Sequence, residues 1–158
     1  MILREDFMEE EHWEMPSWWF REKRPSTDDC YFENMCRVIF QAGLNWQVID
    51  KKWPTTKNAF ADFNINKVAN FTATDIEGLM RDPGIIRNKG KIIAIVQNAQ
   101  NFVAIEKKSG SFQKYLDSLD KSNNYEKVLK DLINKFKWLG PHSASVFLYS
   151  VGEKIEPW

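Results

Sequence analysis

The chain has 158 residues, 43% of them hydrophobic and 28% charged, with a formal net charge of zero. That length supports one domain whose core needs neither a metal nor a disulfide. No apolar run reaches membrane-spanning length and no signal-peptide pattern is visible, so the expectation is a cytoplasmic protein with no membrane partner. The charge is unevenly spread. Residues 1–80 carry 9 Lys or Arg against 14 Asp or Glu, and residues 81–158 carry 13 against 8. An anionic partner would therefore be met by the second half, with an affinity that weakens as salt rises. Cys30 and Cys36 are too far apart in helical phase to pair readily, which points to a reducing compartment.

In chain order, residues 1–27 read as an acidic, poorly periodic arm packing on the core, with Trp13, Trp18 and Trp19 toward its end. Residues 28–158 read as one helical domain. A helix is predicted over Cys30 to Gln41, with Asp28 or Asp29 as N-cap and Gly43 as terminator. A short helix over Gln47 to Lys52 is closed by Pro54, and Phe60 and Phe63 continue its apolar face. Thr74 with Glu77 suggests a capping box for a helix through Arg81, which Asp82-Pro83-Gly84 stops. Ile92, Ile95, Val96, Ala99, Phe102 and Val103 mark the clearest helix. Ser111 to Leu116 gives a short helix and Lys121 to Asn124 a polar loop. Tyr125 to Phe136 and Ser143 to Val151 are two more amphipathic helices, with a hairpin near 137–143 between them. No alternating pattern argues for a sheet, so the expected fold class is all-α.

Three connections carry possible chemistry. Gln41-Ala42-Gly43-Leu44-Asn45-Trp46 offers an apolar tip followed by a flat aromatic, which suits entry into a base stack and equally suits a helix–helix corner. Gly84 to Lys91 brings Arg87, Lys89 and Lys91 together without an acid. The ordinary reading is a solvated loop, but cations at a helix start oppose its macrodipole, which makes a bound phosphate a more attractive alternative. In the third connection Gly140, His142 and Ser143 join two helices through a tight turn, and the N–H groups at the second helix start form an anion site. His142 either donates to such an anion, caps the preceding carbonyls or points to solvent.

These elements together resemble the 3-methyladenine DNA glycosylase I family of the helix-hairpin-helix glycosylase superfamily. The likeness rests on Phe32-Glu33, Cys36, Gln41 to Trp46, Phe60 to Phe63, Val68-Ala69, Gly84 to Arg87, Gly90-Lys91-Ile92, Asn98-Ala99 and Gly140, within residues 28 to 152. It implies a helical bundle that hydrolyses the N-glycosidic bond of alkylated purines in double-stranded DNA, as the first step of base excision repair. No covalent lysine step and no lyase step are implied. Trp46 would stack on the excised base, with Val38, Trp13 and Trp19 around the pocket. Gly43 and Leu44 would enter the duplex with Gln41 nearby at the helix end as part of the DNA-binding surface, while Arg87, Lys89, Lys91, Gly140, His142 and Ser143 would hold the strand. The protein would act as a monomer, without a cofactor, associated with the nucleoid through DNA.

Two departures from the family stand out. The family's purine-contacting glutamate lies eight residues before the tryptophan, and here that position is Val38. Its catalytic group is therefore unassigned; Glu14 or Glu22 are the N-terminal carboxylates that might supply one. The zinc that pins the termini in many members lacks its ligands, since only His12 precedes Cys30. No structural metal is expected, and Trp13, Trp18, Trp19 and Trp158 are the residues available to hold the termini by packing. The loss at Val38 leaves a second reading, a non-catalytic or altered-specificity DNA-binding relative.

Overall fold

The computed structural model describes residues 15–20 and 23–156. His12, Trp13, Glu14, Glu22 and Trp158 lie outside the described residues. The described chain is helical, with a single parallel bridge pairing Phe20 with Val151. The helices are α1 (Asp28–Gln41), α2 (Trp46–Ala59), α3 (Ile65–Ala69), α4 (Ala73–Met80), α5 (Lys89–Ser109), α6 (Phe112–Asp117), α7 (Ser122–Lys135) and α8 (Pro141–Ser150). None of the described helices is long and apolar enough to cross a membrane.

Helix α1 is the buried axis. Ten of its residues are buried, from Tyr31 to Gln41, because α2, α3, α5, α6 and α8 surround it. Its N-cap is Thr27, whose hydroxyl accepts from Cys30 N at 3.2 Å. The expected caps serve other helices instead. The Asp28 carboxylate accepts from Phe112 N at 3.1 Å, and Asp29 accepts from Ile65 N at 3.0 Å. Aromatic rings fill the space around α1: Phe32 meets Phe63 and Phe102, and Trp53 stacks on Phe63 at 5.2 Å. Cys36 is fully buried and burial pushes its thiol well up, so both its position and its protonation keep it inert.

Two expected boundaries moved. Pro54 does not close α2, which continues to Ala59. Proline removes one backbone donor, the one that would reach the Asp50 carbonyl, and the Thr55 and Thr56 hydroxyls add side-chain bonds to the neighbouring Lys52 carbonyl at 3.0 and 2.7 Å. The capping box of α4 is Thr72 with Asp75, not Thr74 with Glu77. Asp75 reaches back to Thr72 N at 2.8 Å, two residues before the pair read from the pattern. After α2, Ala61, Asp62 and Phe63 form a left-handed turn with φ of 55°, 57° and 54°. Full burial of Phe60 and Phe63 and their stacking at 5.5 Å offset the strain that non-glycine residues incur there.

The chain's early and late segments are fastened together by polar groups. Phe20 N donates to Ser150 O at 2.7 Å, and Asn34 Nδ2 donates to Trp18 O and Ser150 Oγ, each at 3.2 Å. The buried Glu153 carboxylate forms an ion pair with Arg24 at 2.9 Å and accepts from Lys121 at 2.9 Å and the Tyr125 hydroxyl at 3.1 Å. Gly152, at φ +84°, lies so close to the Lys23 carbonyl that an added Cβ would stand 2.3 Å from its oxygen.

A carboxylate cluster beneath α1 gives the fold a pH dependence. Burial, then a hydrogen bond to Asp28, pushes the Glu106 carboxyl up to about 7. An acid raised in the folded state stabilises below its ordinary value of 4.5, and that contribution is lost as pH rises through about 7. Glu106→Gln is expected to melt like wild type in mild acid and above it in mild alkali. Equal melting temperatures at both pH values would contradict this.

Candidate functional site

The corner between α1 and α2 is built to expose its tip. Ala42 N donates back to the Val38 and Ile39 carbonyls, ending α1, and Gly43 takes φ +76°. A Cβ at Gly43 would meet nothing within 4 Å, so the backbone angle and not space requires glycine. Leu44 N then donates to Gln41 O at 2.9 Å, and the Asn45 side chain accepts from Gln47 N at 2.7 Å to start α2 at Trp46. Leu44 and Trp46 are left 42% and 40% exposed. Two large apolar side chains facing water on one turn serve contact with something else better than they serve the fold.

Trp46 does not stand alone. Trp18 lies 6.4 Å and Trp19 6.2 Å from its ring, and Trp19 also meets Tyr149 edge-on at 5.4 Å. Trp19 was expected beside Trp46 from sequence; Trp18 was not placed there. The adjacent Trp18-Trp19 pair was the available signal, because two bulky aromatics in an irregular segment cannot both enter the core. Trp18 is held from its other side by Arg37, whose guanidinium lies 4.9 Å from both the Trp18 and Trp53 rings and binds Asp50. Burial lowers the Arg37 pKa and the Asp50 carboxylate opposes that shift. Arginine stays charged throughout.

Gln41 is 3% exposed, and neither its amide nitrogen nor its amide oxygen has a hydrogen-bond partner among the described residues. An unsatisfied buried amide costs about 1–3 kcal/mol.

The second connection is divided in function. Arg87 and Lys89 are exposed, but Lys91 is 4% exposed and turns inward. Its ammonium donates to Phe40 O at 3.3 Å and Ala42 O at 2.9 Å, where it neutralises the C-terminal end of α1. This corrects its expected place among the strand-holding cations. It also resolves part of the mismatch of lysines at a helix start, since one of them serves the neighbouring helix's end. Asn88 caps α5 through Lys91 N at 3.1 Å.

The hairpin is held by α5. The fully buried Asn98 side chain donates to Lys137 O at 3.0 Å and accepts from Lys137 N at 2.7 Å. The left-handed residue of the turn is Trp138, at φ +63°, and not Gly140, which is extended. Trp138 packs onto Gly90, where an added Cβ would stand 2.8 Å from its ring. A Cβ at Gly140 would meet open space, so bare backbone is presented at the start of α8, which no described side chain caps. His142 is exposed and Ser143 half-buried in that first turn. Lys91 reaching Ala42 and Trp138 resting on Gly90 thus join all three connections on one side of the molecule. A shallow groove between Ala42 and Ser143 runs along this side.

A family model for methyladenine glycosylases matches residues 16–152, which spans both the aromatic wall and the hairpin. The chain belongs to the methyladenine glycosylase family. Its similarity to the DNA-3-methyladenine glycosylase of Haemophilus influenzae is 31% identity over 139 residues, 77% of this chain and 75% of that protein. With DNA-3-methyladenine glycosylase 1 of Escherichia coli it shares 39% over 89 residues, 56% of this chain and 48% of that one. A solved structure of 3-methyladenine DNA glycosylase I from Staphylococcus aureus, which concerns that enzyme's recognition of 3-methyladenine, superposes with a TM-score of 0.73 at 32% identity. The match covers 85% of this chain and 80% of the other.

Within this methyladenine glycosylase fold the altered position is plain. Val38, where the resemblance puts a glutamate, is 4% exposed and offers no polar atom from its side chain. The nearest carboxylate along α2, Asp50, is occupied by Arg37. Among the described residues no group of three or more His, Cys, Asp or Glu could hold a metal ion.

Proposed function

We propose that this protein is a DNA glycosylase that hydrolyses the N-glycosidic bond of alkylated purines in double-stranded DNA. The observation that carries the reading is the exposed Leu44 and Trp46 pair, set on a glycine corner and backed by Trp18 and Trp19. Leu44 fills the gap left by an extruded base, and Trp46 stacks on that base. Extrusion costs less for a damaged base than for a well-paired one. Arg87, Lys89 and the bare backbone from Gly140 to Ser143 hold phosphates, which positions the strand without reading sequence.

Little catalytic machinery is needed for such a substrate. An adenine alkylated at N3 is cationic in DNA and leaves as a neutral base, so its glycosidic bond is already weakened. Stacking on indole favours the cationic purine by a cation–π contribution. Water oxygen then bonds the sugar C1′ as the C1′–N9 bond breaks, the bonding pair leaves with the base, and the water gives up a proton to solvent. The same reading takes the protein to act as a monomer, associated with the nucleoid through DNA.

The test is release of free base from methylated duplex DNA at high enzyme, alongside duplex binding across a salt series. Release of 3-methyladenine together with binding that weakens as salt rises is the expected result. Salt-dependent binding without any release would replace this reading with that of a non-catalytic damage-binding relative, the outcome that the missing carboxylate at Val38 makes worth measuring.

A further inference from the structure

We propose that Gln41 is the residue that reads the base stacked on Trp46, and that it does so by a paired contact with N7 and the N6 amine of an alkylated adenine. This assignment rests on the glycosylase reading above and supplies the recognition group that Val38 lacks.

Position comes first. Asn34, Val38 and Gln41 follow at helical spacing along one stripe of α1. Asn34 at the base of the stripe holds the Trp18 carbonyl at 3.2 Å, so the stripe runs beneath the aromatic wall. Across the α1–α2 corner, Glu33 meets Lys57 at 3.2 Å and Arg37 meets Asp50. Continuing that register one turn toward the corner sets Gln41 opposite Trp46. Gln41 is thus one turn beyond the family's glutamate position, on the same stripe and toward the corner that carries Trp46.

Chemistry comes second. Both amide atoms of Gln41 are buried and unpartnered, one donor group and one acceptor in a fixed plane. A side-chain amide is the bidentate match for adenine, donating to N7 and accepting from N6. Guanine presents two acceptors, O6 and N7, on the same edge, and methylation at N7 removes one of them, so a 7-alkylguanine leaves the amide oxygen unpaired. A carboxylate would select a base partly by its charge. The neutral amide selects by hydrogen-bond pattern, with the guanidinium of Arg37 one turn behind it as the fixed charge on that helix face.

The experiment compares wild type with Gln41→Leu and Gln41→Glu. It measures single-turnover release of 3-methyladenine and 7-methylguanine from methylated duplex DNA, quenching of tryptophan fluorescence by free 3-methyladenine, and thermal melting. Gln41→Leu is expected to slow 3-methyladenine release roughly 10- to 100-fold and to weaken free-base binding similarly. Its preference for 3-methyladenine over 7-methylguanine falls, while its melting temperature stays level or rises, because an unsatisfied buried amide has been removed. Gln41→Glu, which keeps the acceptor, retains more of the adenine preference than Gln41→Leu. Wild-type rates in Gln41→Leu would overturn the assignment, as would a fall in melting temperature, which would reveal a structural partner for the amide. Should wild type release no base, the glycosylase reading fails by itself. Free-base binding that depends on Gln41 then still upholds this assignment, and binding that ignores Gln41→Leu, or no binding at all, overturns it.

Discussion

Trp46→Ala is expected to slow base release from methylated duplex DNA by roughly 5- to 150-fold, because stacking a base on an aromatic ring is worth about 1–3 kcal/mol. The upper part of that range applies to a cationic purine, which gains a cation–π contribution as well. Stability is affected little, since the side chain is already 40% exposed and its truncation opens no enclosed cavity. Trp46→Phe keeps a smaller aromatic face and falls between the two. Duplex binding at low salt changes much less than release, because Arg87, Lys89 and the hairpin backbone are untouched. Single-turnover kinetics beside a binding isotherm separate the two effects. Unchanged release in Trp46→Ala would move the base site away from the aromatic wall.

Glu153→Ala is expected to give the largest loss of stability among single substitutions outside the apolar core. Its carboxylate is buried, pairs with the Arg24 guanidinium and takes hydrogen bonds from Lys121 and Tyr125. Removing one partner of such a buried set costs about 3–5 kcal/mol. The lower end applies here, because both cations are more than a quarter exposed and Asp117 remains to receive each of them at 2.9 Å. A loss of about 3 kcal/mol lowers the melting temperature by roughly 6–12 °C in a domain of this size. Base release at low temperature suffers less, because the Asn34 and Phe20 contacts still hold Trp18 and Trp19 near Trp46. A melting temperature within a degree or two of wild type, which corresponds to under about 1 kcal/mol, would show that Asp117 alone anchors Arg24.

The helical architecture and the three connections were legible because each depends on local pattern. Apolar spacing of three and four sets the helices, and glycine sets the corner at Gly43. The groups that shape the pocket wall were less legible, because their roles come from residues distant in sequence. Arg37 reads as an ordinary solvated cation until Trp18 and Trp53 enclose it. Lys91 reads as a phosphate ligand beside Arg87 and Lys89, yet the open carbonyls at the end of α1 claim its ammonium. Pro54 reads as a helix end, yet its missing N–H costs α2 one backbone bond, to the Asp50 carbonyl, and the helix continues to Ala59. The left-handed residue of the hairpin is Trp138 and not Gly140, and its packing onto Gly90 across the molecule follows from no local rule. Val38 was the informative exception, since a gap in an otherwise matching pattern is visible in sequence alone.

The fastening of Trp18 and Phe20 to Ser150 has a consequence for the order of synthesis. More than a hundred residues separate the two partners, so the aromatic wall is made early by the ribosome while its clasp is made late. Until Ser150 has left the exit tunnel, the segment bearing Trp18 and Trp19 has no Phe20–Ser150 bond to hold it beside Trp46. The wedge at Leu44 can form as soon as α1 and α2 fold, but the pocket behind it closes last. A nascent chain on the ribosome would therefore carry the tip that opens a duplex before it carries a finished place for the base.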